Sequence, residues 1–234
     1  MEKLKDIAPL YFQEESSSIF MMDCVSAMKN YPDNYFDLAV VDPPYGIGES
    51  KNVKGRKGVL AKKSNYKIKD WDNESPNDIY FKELQRVSKN QIIWGANHFI
   101  SKIPFNSSCW VVWDKQNGEN DFADCELAFT SFKTSVRKFE FRWQGMLQGD
   151  MKNKEQRIHP TQKPVALYDW IFKNYAETGM KVLDTHLGSG SSRIAAHKAG
   201  MDFTGFEIDE DYFRASNKRF KDYHSQLTLF SHVS

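Results

Sequence analysis

Cysteine is scarce in this chain of 234 residues: there are three, Cys24, Cys109 and Cys125, with no CxxC spacing among them. An odd number without paired spacing argues against a disulfide framework and a cysteine zinc site, and points to a reducing, cytoplasmic compartment. Long apolar runs are missing too. None approaches the roughly 18–20 residues that cross a bilayer, and the opening MEKLKDIAPL lacks a signal peptide's apolar stretch, so no membrane partner is expected. Nor is there an excess of either charge: 32 basic side chains meet 31 acidic ones. Internal repeats and low-complexity linkers are also lacking. What remains is 40% hydrophobic residues and a large aromatic stock (17 Phe, 10 Tyr, 6 Trp), enough for a core without staples. The length suits one domain over residues 1–234.

The near-zero net charge hides a segregation. From Lys51 to Lys69 there are eight basic residues and no acidic one, which leaves the rest of the chain at −7. This stretch, with its flanks spanning 46–72, is Gly-rich and aperiodic and reads as a loop. A weaker basic stretch runs from Lys133 to Arg157. Positive charge gathered into two loops on an acidic body favours contact with a phosphate backbone, and Tyr66 and Trp71 add stacking surface.

Short apolar runs bounded by polar turns predict strands at Ile19–Met22, Asp37–Val41, Gln91–Trp94, Cys109–Trp113, Leu127–Thr130, Lys181–Asp184 and Phe203–Phe206. Helical patterns lie between several of them. One opens at Ser75-Pro76 and turns Ile79, Leu84 and Val87 to one side; a second runs from Pro164 to Thr178-Gly179. A third spans Ser191–Ala199, and a fourth follows Asp209, which serves as its N-cap. Strands alternating with helices imply an α/β fold, a mostly parallel twisted sheet with helices on both faces and ligands at the carboxyl ends of its strands.

The segment MKVLDTHLGSGSSRIAAHKAG reads strand, tight turn, helix. Gly188 and Gly190 allow close backbone approach, and the helix after them points free N–H groups at a ligand. Glu207 follows 19 residues beyond Gly188, at the tip of the next strand, where its carboxylate can accept from two ribose hydroxyls. Turn and acid together indicate a nucleoside site. A third glycine and a Walker lysine pattern are absent, which lowers NAD and ATP as its occupant.

The strand FDLAVV runs into Asp42-Pro43-Pro44-Tyr45-Gly46. Its prolines exclude helix, so the peptide leaves the strand as a stiff corner offering a carboxylate, the Pro43 carbonyl and a phenol ring. Two acceptors and a stacking ring suit transfer to the exocyclic amine of a base. The acceptors polarise the N–H bonds and aim a lone pair otherwise delocalised into the ring.

This corner resembles the [DNS]-P-P-[YFW] motif of the DNA amino-methyltransferases, in the Asp form typical of the adenine-N6 enzymes. The resemblance runs from about Ser18 to Phe220. It includes IFMMDCVSAMKNYPDNYFDLAVVDPPYG, WVVWDKQNG and RIHPTQKPVALYDWIFKNY followed by VLDTHLGSGSS. Because the catalytic block precedes the cofactor block, the chain is similar to the circularly permuted β-type enzymes. That implies a Rossmann-like methyltransferase fold, S-adenosyl-L-methionine as cofactor, and methyl transfer to adenine N6 in double-stranded DNA by base flipping. Cytosine-N4 transfer and a catalytically weak nucleic-acid-binding relative are the alternatives.

The resemblance assigns Asp42, Pro43, Pro44 and Tyr45 to catalysis. It assigns Asp23, Cys24, Asp184, His186, Gly188, Ser189, Gly190, Glu207, Ile208 and Lys163 to the cofactor. Lys163 reads either as a partner of the cofactor's carboxylate or as a surface lysine. Trp113 reads either as lining of the base pocket or as core. Residues 119–157, with Phe139, Phe141, Arg142 and Trp143, stand where the family places target recognition, and a second subunit or a paired restriction endonuclease are further partners to consider. One departure is plain: Asp184-Thr185-His186 replaces the family's usual Asp-Pro-Phe, and His186 is expected to pack where phenylalanine would.

Overall fold

The computed structural model describes residues 2–48, 74–103, 105–118, 123–144 and 147–231. In chain order the elements are α1 (Glu2–Ile7), β1 (Leu10–Glu14), β2 (Ser17–Met21), α2 (Cys24–Met28), β3 (Phe36–Val41), α3 (Asp78–Val87) and β4 (Ser88–Trp94). Then come β5 (Trp110–Asp114), β6 (Cys125–Thr130), β7 (Arg137–Glu140), β8 (Trp143–Gln144), β9 (Leu147–Gln148), α4 (Val165–Tyr175), β10 (Lys181–Asp184), α5 (Ser191–Lys198), β11 (Asp202–Glu207) and α6 (Glu210–Ser231).

Nine strands form one sheet in the order β1-β2-β11-β10-β3-β4-β6-β5-β7. The five from β2 to β4 are mutually parallel, and the rest is mixed. The chain winds one way from β3 through α3 to β4 and the other way from β10 through α5 to β11. The boundary between β3 and β10 is therefore the switch point of a doubly wound sheet, where a crevice opens beyond the strand ends.

The parallel strands are buried on both faces, as their near-continuous apolar runs require. Along β3, Phe36, Ala39 and Val41 enter one core with Phe20, Phe81, Leu84 and Phe206, under α2 and α3. Leu38 and Val40 enter the other with Ile92, Trp94, Leu167, Ile171 and Phe213, under α4, α5 and α6. Each such side chain contributes roughly 1.5–3 kcal/mol by leaving water.

The seven expected strands are all present, with ends shifted by a residue or so to three residues. Helix α3 starts later than Ser75-Pro76 because Asn77 caps it, its Oδ1 accepting from the Tyr80 N–H at 3.1 Å. Ile79, expected inward, is 52% exposed; Tyr80 and Phe81 turn inward instead. Helix α4 ends at Tyr175, short of Thr178-Gly179, although Gly179 does adopt a left-handed φ of +85°. Asp209 caps α6, accepting from the Tyr212 N–H at 3.1 Å. Among the described residues no helix is long and apolar enough to cross a membrane.

Arg193 of α5 is completely buried. Its Nε donates to Ser17 Oγ at 2.7 Å, its Nη1 to Asn217 Oδ1 at 3.0 Å, and its guanidinium lies 3.9 Å from the Phe220 ring centroid. It thus joins the β1–β2 hairpin to α5 and α6. Arg193→Ala should destabilise the fold by roughly 2–4 kcal/mol in urea denaturation, through lost volume and two orphaned polar partners. Arg193→Met, which keeps the volume without the buried charge, should cost clearly less.

Candidate active site

The tips of β3 and β10 carry Asp42 and Asp184, side by side at the switch point. After Val41 the Asp42-Pro43-Pro44-Tyr45 corner folds back on itself: Tyr45 Oη donates to Asp42 Oδ1 at 2.8 Å. The Tyr45 ring stacks on His98, centroids 4.8 Å apart and planes 13° from parallel. Gly95 makes room for it. A Cβ there would sit 2.0 Å from Tyr45 Cε1, and the glycine's φ of +66° is one that other residues rarely adopt.

Lys163 is 5% exposed. This rules out the surface alternative. Its Nζ lies 2.5 Å from Asp42 Oδ2, 3.0 Å from Glu126 Oε2 and 3.2 Å from Tyr45 Oη. Lys115 pairs with the other oxygen of Glu126. Two ammonium groups and two carboxylates thus alternate across β3, β6 and the loops beside them. Burial works against the Glu126 charge, but Lys163 and Lys115 outweigh it and hold its pKa down to about 2. Burial also opposes the Lys163 charge, and Asp42 and Glu126 outweigh it, so Lys163 stays protonated. Asp42 shares its one ammonium with Glu126. Burial therefore raises its pKa, and Lys163 offsets this only in part.

Across the crevice, Gly188 and Gly190 both have positive φ, +50° and +72°. The start of α5 has no side-chain cap. Glu207 accepts from the Gly188 N–H at 2.8 Å and the Asp209 N–H at 2.9 Å, so the strand tip and the turn are one unit. Asp23 caps α2 beside it, accepting from the Ser26 N–H at 2.8 Å, and Cys24 is buried next to it. Ile208 is exposed, whereas Ser189 is buried with its Oγ 3.1 Å from Ser191 Oγ. Asp184 accepts from Ser192 Oγ at 2.5 Å and the His186 N–H at 3.0 Å. Burial nevertheless lifts its pKa to about 7, with Asp42 and Glu207 adding to the rise.

Thr185 and His186 are held by a short hydrogen-bond chain. Tyr80 Oη and Thr185 Oγ1 are 2.8 Å apart, and Thr185 Oγ1 lies 2.9 Å from His186 Nδ1. Burial lowers the His186 pKa to about 4, so the ring is neutral. It packs edge-on against Tyr80, 5.4 Å between centroids.

Of the remaining expectations, Trp113 belongs to the core: it is 1% exposed and its indole N–H donates to the Phe141 carbonyl at 3.1 Å. Trp143 is likewise buried, donating to the Gln162 carbonyl at 2.6 Å, and Phe139 packs on Phe141 and Trp170. Of the four residues named in 119–157, the exposed one is Arg142. The Lys51–Lys69 stretch lies outside the described residues.

Sequence reasoning missed Glu126, Lys115 and His98. The signal for Glu126 was an acid inside the otherwise apolar run ELAFT. It also missed Glu155 and Arg219. Glu155 accepts from the Val165 N–H at 2.9 Å and from Arg219 Nη2 at 2.5 Å. Arg219 Nη1 donates to the Ser189 carbonyl and Ser191 Oγ, both at 2.9 Å. Ser191 Oγ donates in turn to the Lys163 carbonyl at 2.8 Å, which ties the glycine turn to the residue that holds Asp42.

A family model described as DNA methylase, of the N6/N4 methyltransferase type, matches residues 93–218, more than half of the chain. The type II methyltransferase M2.MboI of Moraxella bovis is 24% identical over 253 residues, covering 90% of this chain and 90% of its own length. Among solved structures, the M1.HpyAVI–SAM complex superposes with a TM-score of 0.52 at 22% identity, over 86% of this chain and 98% of that one. The cytosine-N4-specific PvuII DNA methyltransferase gives 0.59 at 13% identity, over 89% and 87%. At such identities these two structures speak for the fold, which is that of the S-adenosylmethionine-dependent methyltransferases.

The neutral His186 carries a pH dependence. Its pKa in the folded protein, about 4, lies below the ordinary 6.5, so the unfolded chain binds more protons between those values. Stability is therefore lost as pH falls through that window. Urea denaturation at pH 7 and pH 4.5 should show a loss in wild type roughly 2 kcal/mol larger than in His186→Phe. Asp184 titrates with the opposite sign in both proteins and cancels from the comparison. Equal losses would mean that the ring is not held neutral.

Proposed function

Because this chain belongs to the N6/N4 DNA methylase family, and so is an S-adenosylmethionine-dependent DNA methyltransferase, we propose that it methylates the exocyclic N6 amine of adenine in duplex DNA. The observation that carries the reading is the placement of the Asp42–Tyr45 corner and the Gly188–Gly190 turn on adjacent strand tips, tied through Lys163 and Ser191. The Asp form of the corner supports adenine.

The residues present fit the cofactor. Asp184, Glu207 and Asp42 form an acidic edge on which burial pushes every pKa upward, and such an edge calls for a cationic ligand. The uncapped start of α5 offers N–H groups to a carboxylate. Glu207 would hold the ribose, with Asp23, Cys24 and the exposed Ile208 around the adenine, and Asp184, His186, Gly188, Ser189 and Gly190 would line the rest. S-adenosylmethionine supplies an electrophilic methyl group on a sulfonium.

The chain's own part is alignment and charge. A target base must leave the stack at a cost of a few kcal/mol. Stacking on Tyr45, itself backed by His98, returns about 1–3 kcal/mol. Contacts of the Lys51–Lys69 stretch and of residues 119–157 with phosphates would add a salt-sensitive remainder. Asp42 and the Pro43 carbonyl accept the two N–H bonds of the amine. A carboxylate oxygen has lone pairs for more than one donor, so Asp42 can keep Tyr45 and Lys163 while it does so. Positive charge growing on the amine is met by acceptors already in place. Asp42, raised by burial, is also the better proton acceptor of the two carboxylates, since Glu126 is pinned low by two ammonium groups. Lys163 is a positioning residue, fixing the Asp42 rotamer. Pairing with a second subunit or a restriction endonuclease is part of the same proposal.

Asp42→Asn and Asp42→Ala should bind S-adenosylmethionine within a few-fold of wild type by calorimetry and lose transfer by at least about 1,000-fold. Mass spectrometry of nucleosides from duplex DNA methylated by the wild type should give N6-methyladenine. N4-methylcytosine would replace adenine by the cytosine reading, and full activity in Asp42→Ala would sink the role of the corner.

A further inference from the structure

At the far end of α5 from the glycine turn lies a second cluster that the methyl-transfer chemistry does not use. Eight helical residues place about 12 Å between the two ends. Glu15 sits in the turn of the β1–β2 hairpin, His197 in the last turn of α5 and His224 on α6. Glu15 Oε2 is 3.4 Å from His197 Nδ1, and Glu15 Oε1 is 3.1 Å from His224 Nε2. One ligand atom from each residue lies within 4.8 Å of the others.

We propose that Glu15, His197 and His224 bind a divalent transition-metal ion of the zinc class, clamping the hairpin to the last two helices. Two imidazoles and a carboxylate suit Zn²⁺ and its neighbours, whereas Mg²⁺ and Ca²⁺ demand oxygen. In a tetrahedral site with bonds of about 2.0–2.1 Å, donor atoms stand about 3.3 Å apart. The two carboxylate–imidazole distances, each to a different oxygen of Glu15, are already of that order, so a small closure of the two rings onto one oxygen completes the site and leaves one position for water.

Three features show the cluster to be supported rather than incidental. His224 Nδ1, the nitrogen turned away from Glu15, faces Glu14 Oε1 at 3.7 Å. A second carboxylate behind a ligating histidine is the usual arrangement that fixes its tautomer. The rings are oriented by packing: His197 meets Phe220 edge-on at 5.3 Å, and His224 stacks on the same ring at 6.4 Å. Glu15 is held in a left-handed conformation, φ +50°, with its neighbour Ser16 bonded to Met201 and Phe203. The two-residue turn between Glu14 and Ser17 accounts for that φ and fixes where Glu15 stands on the hairpin. The two carboxylates also outweigh the single positive charge of Arg193, one turn earlier on α5. Residues 15 and 224 are far apart in sequence, so the ion would close a very long loop and its binding energy would add to folding stability.

The test uses the full chain, stripped with EDTA and dialysed. Titration with ZnCl₂ against a chromogenic chelator should show one equivalent bound per chain. At 100 times the dissociation constant the thermal midpoint should rise by roughly 5–10 °C, with no rise in equal MgCl₂. His224→Ala and the exposed-site variant Glu15→Gln should each weaken zinc binding at least about 100-fold, while S-adenosylmethionine affinity and circular dichroism stay unchanged. Co²⁺ substitution should give tetrahedral d–d bands without a thiolate charge-transfer band. No saturable binding, full affinity retained in both variants, or a thiolate band assigning the ion to cysteine would each overturn the proposal.

Discussion

The pairing of Lys163 with Asp42 is the contact on which the rest of the site depends. An ammonium and a carboxylate this deeply placed are costly to desolvate, and the cost is tolerable only because each has further partners. Lys163 also faces Glu126 and the Tyr45 hydroxyl, and Glu126 is shared with Lys115. The four charges cancel locally. Lys163 is the most buried of the four, and its two carboxylate partners together compensate it. Because the Lys163 main chain is bonded to Ser191 and its side chain to Asp42, one residue fixes both banks of the crevice.

The sheet makes this possible without any long reach. The parallel strands β2, β11, β10, β3 and β4 all end on one edge, so Asp23, Glu207, Asp184, Asp42 and Gly95 stand at or within two residues of neighbouring strand tips. Strand spacing of about 4.8 Å then sets their separations. Burial, with Asp42 and Glu207 adding, raises the Asp184 pKa, which is the expected state of an edge shaped for a cation.

Much of this was legible in local sequence. The parallel strands announced themselves as apolar runs, the proline corner as a helix-excluding stop, and Asp209 as a cap, because each signal lies within a few residues of its effect. What was not legible depends on pairing across the sheet. Glu126 reaches the crevice because β6 pairs antiparallel with β4 and β5, a register that no local pattern specifies. Trp113 read as pocket lining or core and Trp143 as part of a target-recognition segment, and their indole N–H groups find carbonyls of Phe141 and Gln162 inside the fold. Ile79 and Tyr80 are adjacent, and it is Tyr80, four residues before Leu84 and seven before Val87, that shares their face.

The replacement of Pro-Phe by Thr185-His186 shows how a turn can keep its stiffness by other means. Proline restrains a turn covalently by fixing φ. Here the restraint is non-covalent. Tyr80, the first inward residue of α3, is hydrogen-bonded to Thr185, and Thr185 to a neutral His186 ring packed edge-on against the same tyrosine. The two arrangements differ in what they respond to. A proline turn is indifferent to pH, whereas one that rests on a buried neutral imidazole loses stability when that ring is protonated. The adjoining Asp184 gains from the same protonation at higher pH, since burial already holds its carboxyl near 7. The base of the cofactor turn therefore contains two titratable neighbours tuned in opposite directions, and it is most rigid where the imidazole is neutral.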